Sequence, residues 1–157
     1  MTEGSPRPTN DNRPANTNEP EQADFRLADD LLMGLRFYSR LPTGPSPHLR
    51  PDLNRIALAL PLTSLVIGAV PAAILLGLEW LAVPHLFAAA LAVAAGVIVT
   101  GAMAEDALAD SADGLFGGWT IDERLQIMKD SLHGTYGVCA IVLLIAVRIT
   151  AIGSIAN

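Results

Sequence analysis

Charged side chains are scarce in this 157-residue chain: Asp, Glu, Lys and Arg make up 17% of it, against about a quarter in ordinary soluble domains. Basic residues are scarcer still, 10 against 16 acids, and they form no stripe, which argues against a nucleic-acid partner. There is one cysteine, Cys139, so no internal disulfide can form. It lies in an apolar run, reads as a small hydrophobe, and says nothing of compartment. The first 22 residues, MTEGSPRPTNDNRPANTNEPEQ, contain no apolar stretch of the kind a signal peptide needs. What is abundant is hydrophobicity, 51% of residues with a mean hydropathy of +0.40, arriving in long blocks. The composition points to an integral membrane protein with a polar tail.

Residues 1–24 hold three apolar side chains and read as a disordered tail, since too little can be buried to offset the entropy of ordering them. From Phe25 to Arg40 the spacing predicts an amphipathic helix with Leu27, Leu31, Leu35 and Tyr38 on one face and Asp29, Asp30 and Arg36 elsewhere. It is too short and too charged to span a bilayer and is expected at the interface. Leu41-Pro42 ends it, and TGPSPHLRPD reads as a loop. Residues 56–78 then run without a charge, long enough for the roughly 20 residues a bilayer core requires. Pro61 and Pro71 inside this run suggest kinks. A second uncharged run, 86–104, is rich in Ala, Gly and Val, which suit close helix contacts. A third, 137–156, carries Arg148 near its middle. A charge there costs about 2.5 to 3.5 kcal/mol, so Arg148 must pair with an acid, snorkel, or face an anionic phosphate.

The expected architecture is all-α: a polytopic membrane helix bundle with an interfacial N-terminal helix and about three transmembrane helices. Seven arginines precede the first span, none lies in 79–85, and Arg124 and Lys129 lie between the second and third spans. The positive-inside rule makes the N-terminus and the 105–136 acidic loop cytoplasmic.

The most informative stretch is Glu105-Asp106-Ala-Leu-Ala-Asp110-Ser-Ala-Asp113-Gly114. On a helix Asp110 lies about 40° from Asp106 and Asp113 about 20° to the other side, so three carboxylates share one face, with Glu105 about 100° away at its edge. Clustered like charges destabilise a helix, and a bound cation relieves them. Mg²⁺ suits such hard oxygen donors at a site for phosphates, with Asp106, Asp110, Asp113 and Glu105 as candidate ligands. A solvated acidic helix end is the plainer alternative. Gly114, Gly117 and Gly118 allow backbone close to a ligand. Thr120 and Glu123 form a capping box that starts a short helix running to about Lys129. Arg124, Lys129 and the His133-Gly134-Thr135-Tyr136-Gly137 run could hold phosphates, though a surface ion pair accounts equally for Arg124.

The run EDALADSADGLFGGWTIDERLQIMKDSLHGTYGV resembles the cobalamin synthase family, adenosylcobinamide-GDP ribazoletransferase, with its HxDGLADxADG and ERRLEIMKDSRIGTYGV patterns. LRFYSRLP, with Arg40 and Pro42, and ALPLTSLVIGA are similar to that family's N-terminal stretch and first span. Ala104 stands at the family's histidine, Ala107 at a glycine and Ser111 at a frequent threonine. The family has further membrane helices after this point, so the chain is expected to be an N-terminal portion of the fold.

The resemblance implies a Mg²⁺-dependent transferase in the bacterial cytoplasmic (inner) membrane. Its substrates would be adenosylcobinamide-GDP and α-ribazole or α-ribazole 5′-phosphate, with GMP released in the last assembly step of cobalamin synthesis. Asp113 would be the catalytic base, Lys129 would stabilise phosphate charge, and Asp130 would orient Lys129 or complete the metal site. Arg40, Gly114, Arg124 and Gly134 would bind substrate. The lipid bilayer is an expected partner, and an oligomer or a complex with other cobalamin-assembly enzymes is compatible with this. Two rivals remain: a CDP-alcohol phosphotransferase, whose spacing is missing here, and a non-enzymatic subunit, cation-handling protein or inactive fragment.

Overall fold

The computed structural model describes residues 27–44, 53–130 and 132–155, the side chain of Arg55 excepted. The expected tail, most of the Pro-rich loop and the last two residues of the chain lie outside these. Among the described residues there are six helices and no strand: α1 (Leu27–Tyr38), α2 (Leu53–Trp80), α3 (His85–Thr100), α4 (Met103–Gly117), α5 (Ile121–Ile127) and α6 (Thr135–Ile155).

Helix α2 runs unbroken through Pro61 and Pro71, and its Ile56–Trp80 stretch is long and apolar enough to cross a membrane, as is all of α6. The outward faces of both are apolar and bare: Leu58 is 70% exposed, Leu65 71% and Leu143 66%. A surface of that kind suits lipid rather than water. What is buried is mostly small. Ala88, Ala89, Ala92, Ala109 and Ala112 form much of the core, so the helices pack through close backbone approach. Helix α3 contacts both α2 and α6, while α4 rests on α6 and carries α5. Together these features make a membrane helix bundle.

Two local expectations change. The uncharged run 86–104 is not one helix. Helix α3 stops at Thr100 because Gly101 and Ala102 both take left-handed backbone, with φ of 65° and 60°. Gly101 N–H donates to the carbonyl of Ile98 (3.1 Å) and Ala102 N–H to that of Val97 (2.8 Å), the Schellman pattern that closes a helix. The chain then turns by 86° into α4. Glycine accounts for the break, since hydropathy alone reads straight through it.

The second change concerns α1. Its buried face is Asp30, Met33, Gly34 and Leu35, whereas Leu27 is half exposed. Asp30 belongs to the packed face, not the polar one. The reason is Gly34: a Cβ there would lie 2.5 Å from Oγ1 of Thr63, so α1 sits against α2 along its smallest residue.

A candidate cation site on the helix after the elbow

Helix α4 begins at the elbow and carries the acidic residues in graded environments. The Asp106 side chain is 64% exposed, Asp110 28%, and Asp113 is buried. The exposed pair faces an imidazole from the loop before α6. His133 Nε2 lies 3.6 Å from Asp106 Oδ1, and its Nδ1 lies 3.8 Å from Asp110 Oδ1. One ligand atom from each of Asp106, Asp110 and His133 falls within 4.8 Å of the others. The two carboxylates are donors of the kind Mg²⁺ takes, and the imidazole nitrogen is one that a transition metal such as Zn²⁺ takes more readily; around a bound ion ligand atoms stand about 3 to 4 Å apart, so this group, spread over up to 4.8 Å, would have to close slightly to hold one.

Asp113 is used differently. Its Oδ2 accepts the backbone N–H of Gly134 (2.7 Å) and its Oδ1 that of Gly137 (2.8 Å). A Cβ on Gly134 would come within 2.5 Å of this carboxylate, and one on Gly137 would collide with it and lie 2.9 Å from the Ala109 carbonyl. The glycines are therefore what lets the loop close on α4. Asp113 pins the residue next to His133 and so sets the imidazole beside Asp106 and Asp110. It is not part of that three-residue group.

Glu105 points elsewhere again. It is buried, and its Oε1 accepts from Arg148 Nη1 of α6 at 2.5 Å, while Oε2 is buried without a hydrogen bond. Glu105 thus faces α6 and lies apart from Asp106 and Asp110. Of the four expected ligands, the structure brings together Asp106 and Asp110.

Helix α5 is started by the expected capping box. Thr120 Oγ1 accepts from Glu123 N–H (3.2 Å), and Glu123 Oε2 accepts from the N–H groups of Thr120 (3.0 Å) and Trp119 (2.9 Å). These bonds hold the Glu123 carboxyl below the usual carboxylate range, the backbone N–H of Thr120 contributing most. The helix ends at Ile127, slightly short of the expected Lys129. Arg124 Nε donates to the Gly118 carbonyl (3.0 Å), and its side chain and backbone occupy the space a Gly118 Cβ would need. Gly114 faces Met128 Cγ at 2.7 Å from its would-be Cβ, so α5 folds down on α4 there. Lys129 and Asp130 are exposed on the turn that follows, and Asp130 Oδ1 accepts from Leu132 N–H (3.3 Å). Among the described residues no ion pair joins Lys129 to Asp106 or Asp110.

Arg40 packs directly against the elbow. Its backbone N–H donates to the Val99 carbonyl (2.7 Å), and its side chain fills the space where a Cβ on Gly101 would be. A cavity of about 670 Å³ opens there between α1 and the elbow, with Asp106 on its rim. The spacing of the acidic motif does not point to His133, which lies 20 residues beyond Asp113. The signal present was an imidazole one residue before a glycine that closes on the acidic helix.

Fold and site define a helical membrane protein with a carboxylate–imidazole cluster at an elbow in its bundle. Residues 30–157 match the description of cobalamin-5-phosphate synthase, and the chain belongs to that family. It is 49% identical over 132 residues to a protein of Xanthobacter autotrophicus named adenosylcobinamide-GDP ribazoletransferase, covering 81% of this chain and 50% of that protein. Proteins of the same name from Azorhizobium caulinodans (47% over 128 residues, 79% and 48% covered) and Shewanella frigidimarina (39% over 125 residues, 79% and 48%) are also similar. The chain spans about half the length of these curated relatives. No solved structure matches it.

Proposed function

We propose that this chain carries the cation site and part of the phosphate site of a membrane transferase. The transferase moves the cobinamide phosphate of adenosylcobinamide-GDP to α-ribazole or its 5′-phosphate. The single observation that carries this reading is the convergence of Asp106, Asp110 and His133 on one point beside a cavity, in a chain whose relatives bear the ribazoletransferase name.

A Mg²⁺ held by Asp106, Asp110 and His133 would supply charge neutralisation at the diphosphate. The attacking hydroxyl oxygen forms a bond to the cobinamide phosphorus, and the phosphorus–oxygen bond to GMP breaks, GMP taking the electron pair. The hydroxyl proton passes to a spare carboxylate oxygen of Asp106 or Asp110. Asp113, already engaged by two backbone N–H groups, acts as a positioning residue that holds His133 in place. Arg40 faces the phosphates across the cavity, and Lys129, with Asp130 nearby on the same turn, adds positive charge from the loop after α5. Membrane orientation follows the arginine bias, with the N-terminus and the 105–136 loop on the cytoplasmic side of the inner membrane.

The test is GMP release from adenosylcobinamide-GDP and α-ribazole by the chain in proteoliposomes, with and without Mg²⁺. Turnover should require the cation and fall at least a hundredfold in Asp110→Asn, by about the scale of a lost transition-state contact. Full turnover in that variant removes the cation site from the reaction.

A further inference from the structure

The cavity between α1 and the elbow is lined by two arginines, of which Arg36 has no part in the site described so far. Arg36, in the last turn of α1, and Arg40, two residues beyond its end, both line it, together with Ser39, Gly101, Met103 and Asp106. Both arginines are exposed, and among the described residues the only acid on the lining is Asp106, which also belongs to the cation cluster. Arg36 spends one donor, Nη1, on the Gly44 carbonyl (2.9 Å), and a guanidinium has several more. Arg40 is fixed from two sides, by its backbone bond to Val99 and by the bare Cα of Gly101.

We propose that this cavity is a diphosphate-binding pocket in which Arg36 and Arg40 grip the anion directly. The Asp106 rim would place one end of the diphosphate against the cation cluster. The inference rests on the transferase reading only for the identity of the natural ligand. Its physical basis is separate: an open, largely polar groove lined by two guanidinium groups, which suit phosphate oxygens bidentately. Arg36 thereby becomes a binding residue that neither the acidic motif nor the loop motif contains. Gly101 has a second role besides ending α3, because any side chain there would displace Arg40 from the pocket.

The experiment is titration of the full chain in nanodiscs with inorganic pyrophosphate, first in EDTA and then with Mg²⁺. Binding is expected in EDTA, and Arg36→Gln and Arg40→Gln should each weaken it about tenfold, with Arg36→Lys in between because it keeps charge but not the fork. Circular dichroism of each variant checks that the helices remain. Pyrophosphate binding in a folded Arg36→Gln protein that equals wild type overturns the proposal, as does wild-type binding that appears only with Mg²⁺. Lipid phosphate is the other source of the same chemistry. Affinity should be equal in discs of phosphatidylcholine alone and in discs containing phosphatidylglycerol, whereas a tenfold loss in the latter assigns the arginines to headgroups and overturns the pocket. Loss of pyrophosphate binding in Arg36→Gln, combined with cation-independent GMP release, upholds the pocket while removing the Mg²⁺ transferase reading, so the two fail separately.

Discussion

Glu105 and Arg148 form an ion pair that ties the start of α4 to the middle of α6, across 43 residues of sequence. The carboxylate is 5% exposed and the guanidinium 42%, so the pair is buried at one end only. It settles how a bundle of apolar helices carries an arginine within a span: the charge faces an acid that the elbow delivers to it.

Replacing Arg148 with Met leaves Glu105 buried and unpaired. We expect destabilisation of about 2 kcal/mol, below the range for fully buried pairs because Arg148 is partly exposed. The double variant Glu105→Gln/Arg148→Met should recover much of that loss. Denaturation midpoints in micelles measure both, and a double variant as unstable as Arg148→Met alone refutes the pairing as the cause.

Gly137→Ala places a methyl group in the Asp113 carboxylate and against the Ala109 carbonyl. A cost of about 1 to 3 kcal/mol is expected, with α4 and α6 forced apart. Gly68→Ala is the control, since nothing lies within 4 Å of a Cβ there, and it should be neutral or slightly stabilising. Equal effects at both positions would show that the α4–α6 contact is not as tight as described.

Mn²⁺ binding, followed by electron paramagnetic resonance, should weaken about tenfold or more in Asp106→Asn and in His133→Ala if both are direct ligands. Asp113→Asn should weaken it as well, but through loop position, because its new amide NH₂ would oppose the Gly134 or Gly137 N–H. That variant, unlike His133→Ala, should also speed hydrogen exchange at Gly137. Unchanged Mn²⁺ affinity in His133→Ala removes the imidazole from the site.

The capping box predicts a pH response in α5. Because the folded Glu123 carboxyl is held below its ordinary range, its contribution is complete above the unfolded value and is lost as pH falls through the lower folded value. Protection of the Trp119 and Thr120 amides, corrected for the intrinsic pH dependence of exchange, should fall as pH drops in wild type and be low already at neutral pH in Glu123→Ala. A flat profile in wild type contradicts the cap.

Orientation is testable with cysteines at Ala82 and Leu115 in a Cys139→Ser background. An impermeant thiol reagent applied from the periplasmic side should reach position 82 and not 115. Equal labelling overturns the proposed topology.

The sequence by itself determined that the chain is helical and membrane-embedded, because uncharged runs of bilayer length allow little else. It also determined where α5 starts, since a capping box is read from residues three apart. Three carboxylates on one face of α4 were equally legible from spacing. Their division of labour was not. Only the tertiary structure decided that Asp106 and Asp110 meet His133, that Asp113 turns to the backbone of Gly134 and Gly137, and that Glu105 goes to Arg148. Each of those partners lies more than 20 residues away along the chain. What brings them together is an 86° turn at two left-handed residues and glycines that let α6 and its loop approach α4, and neither leaves a mark in hydropathy.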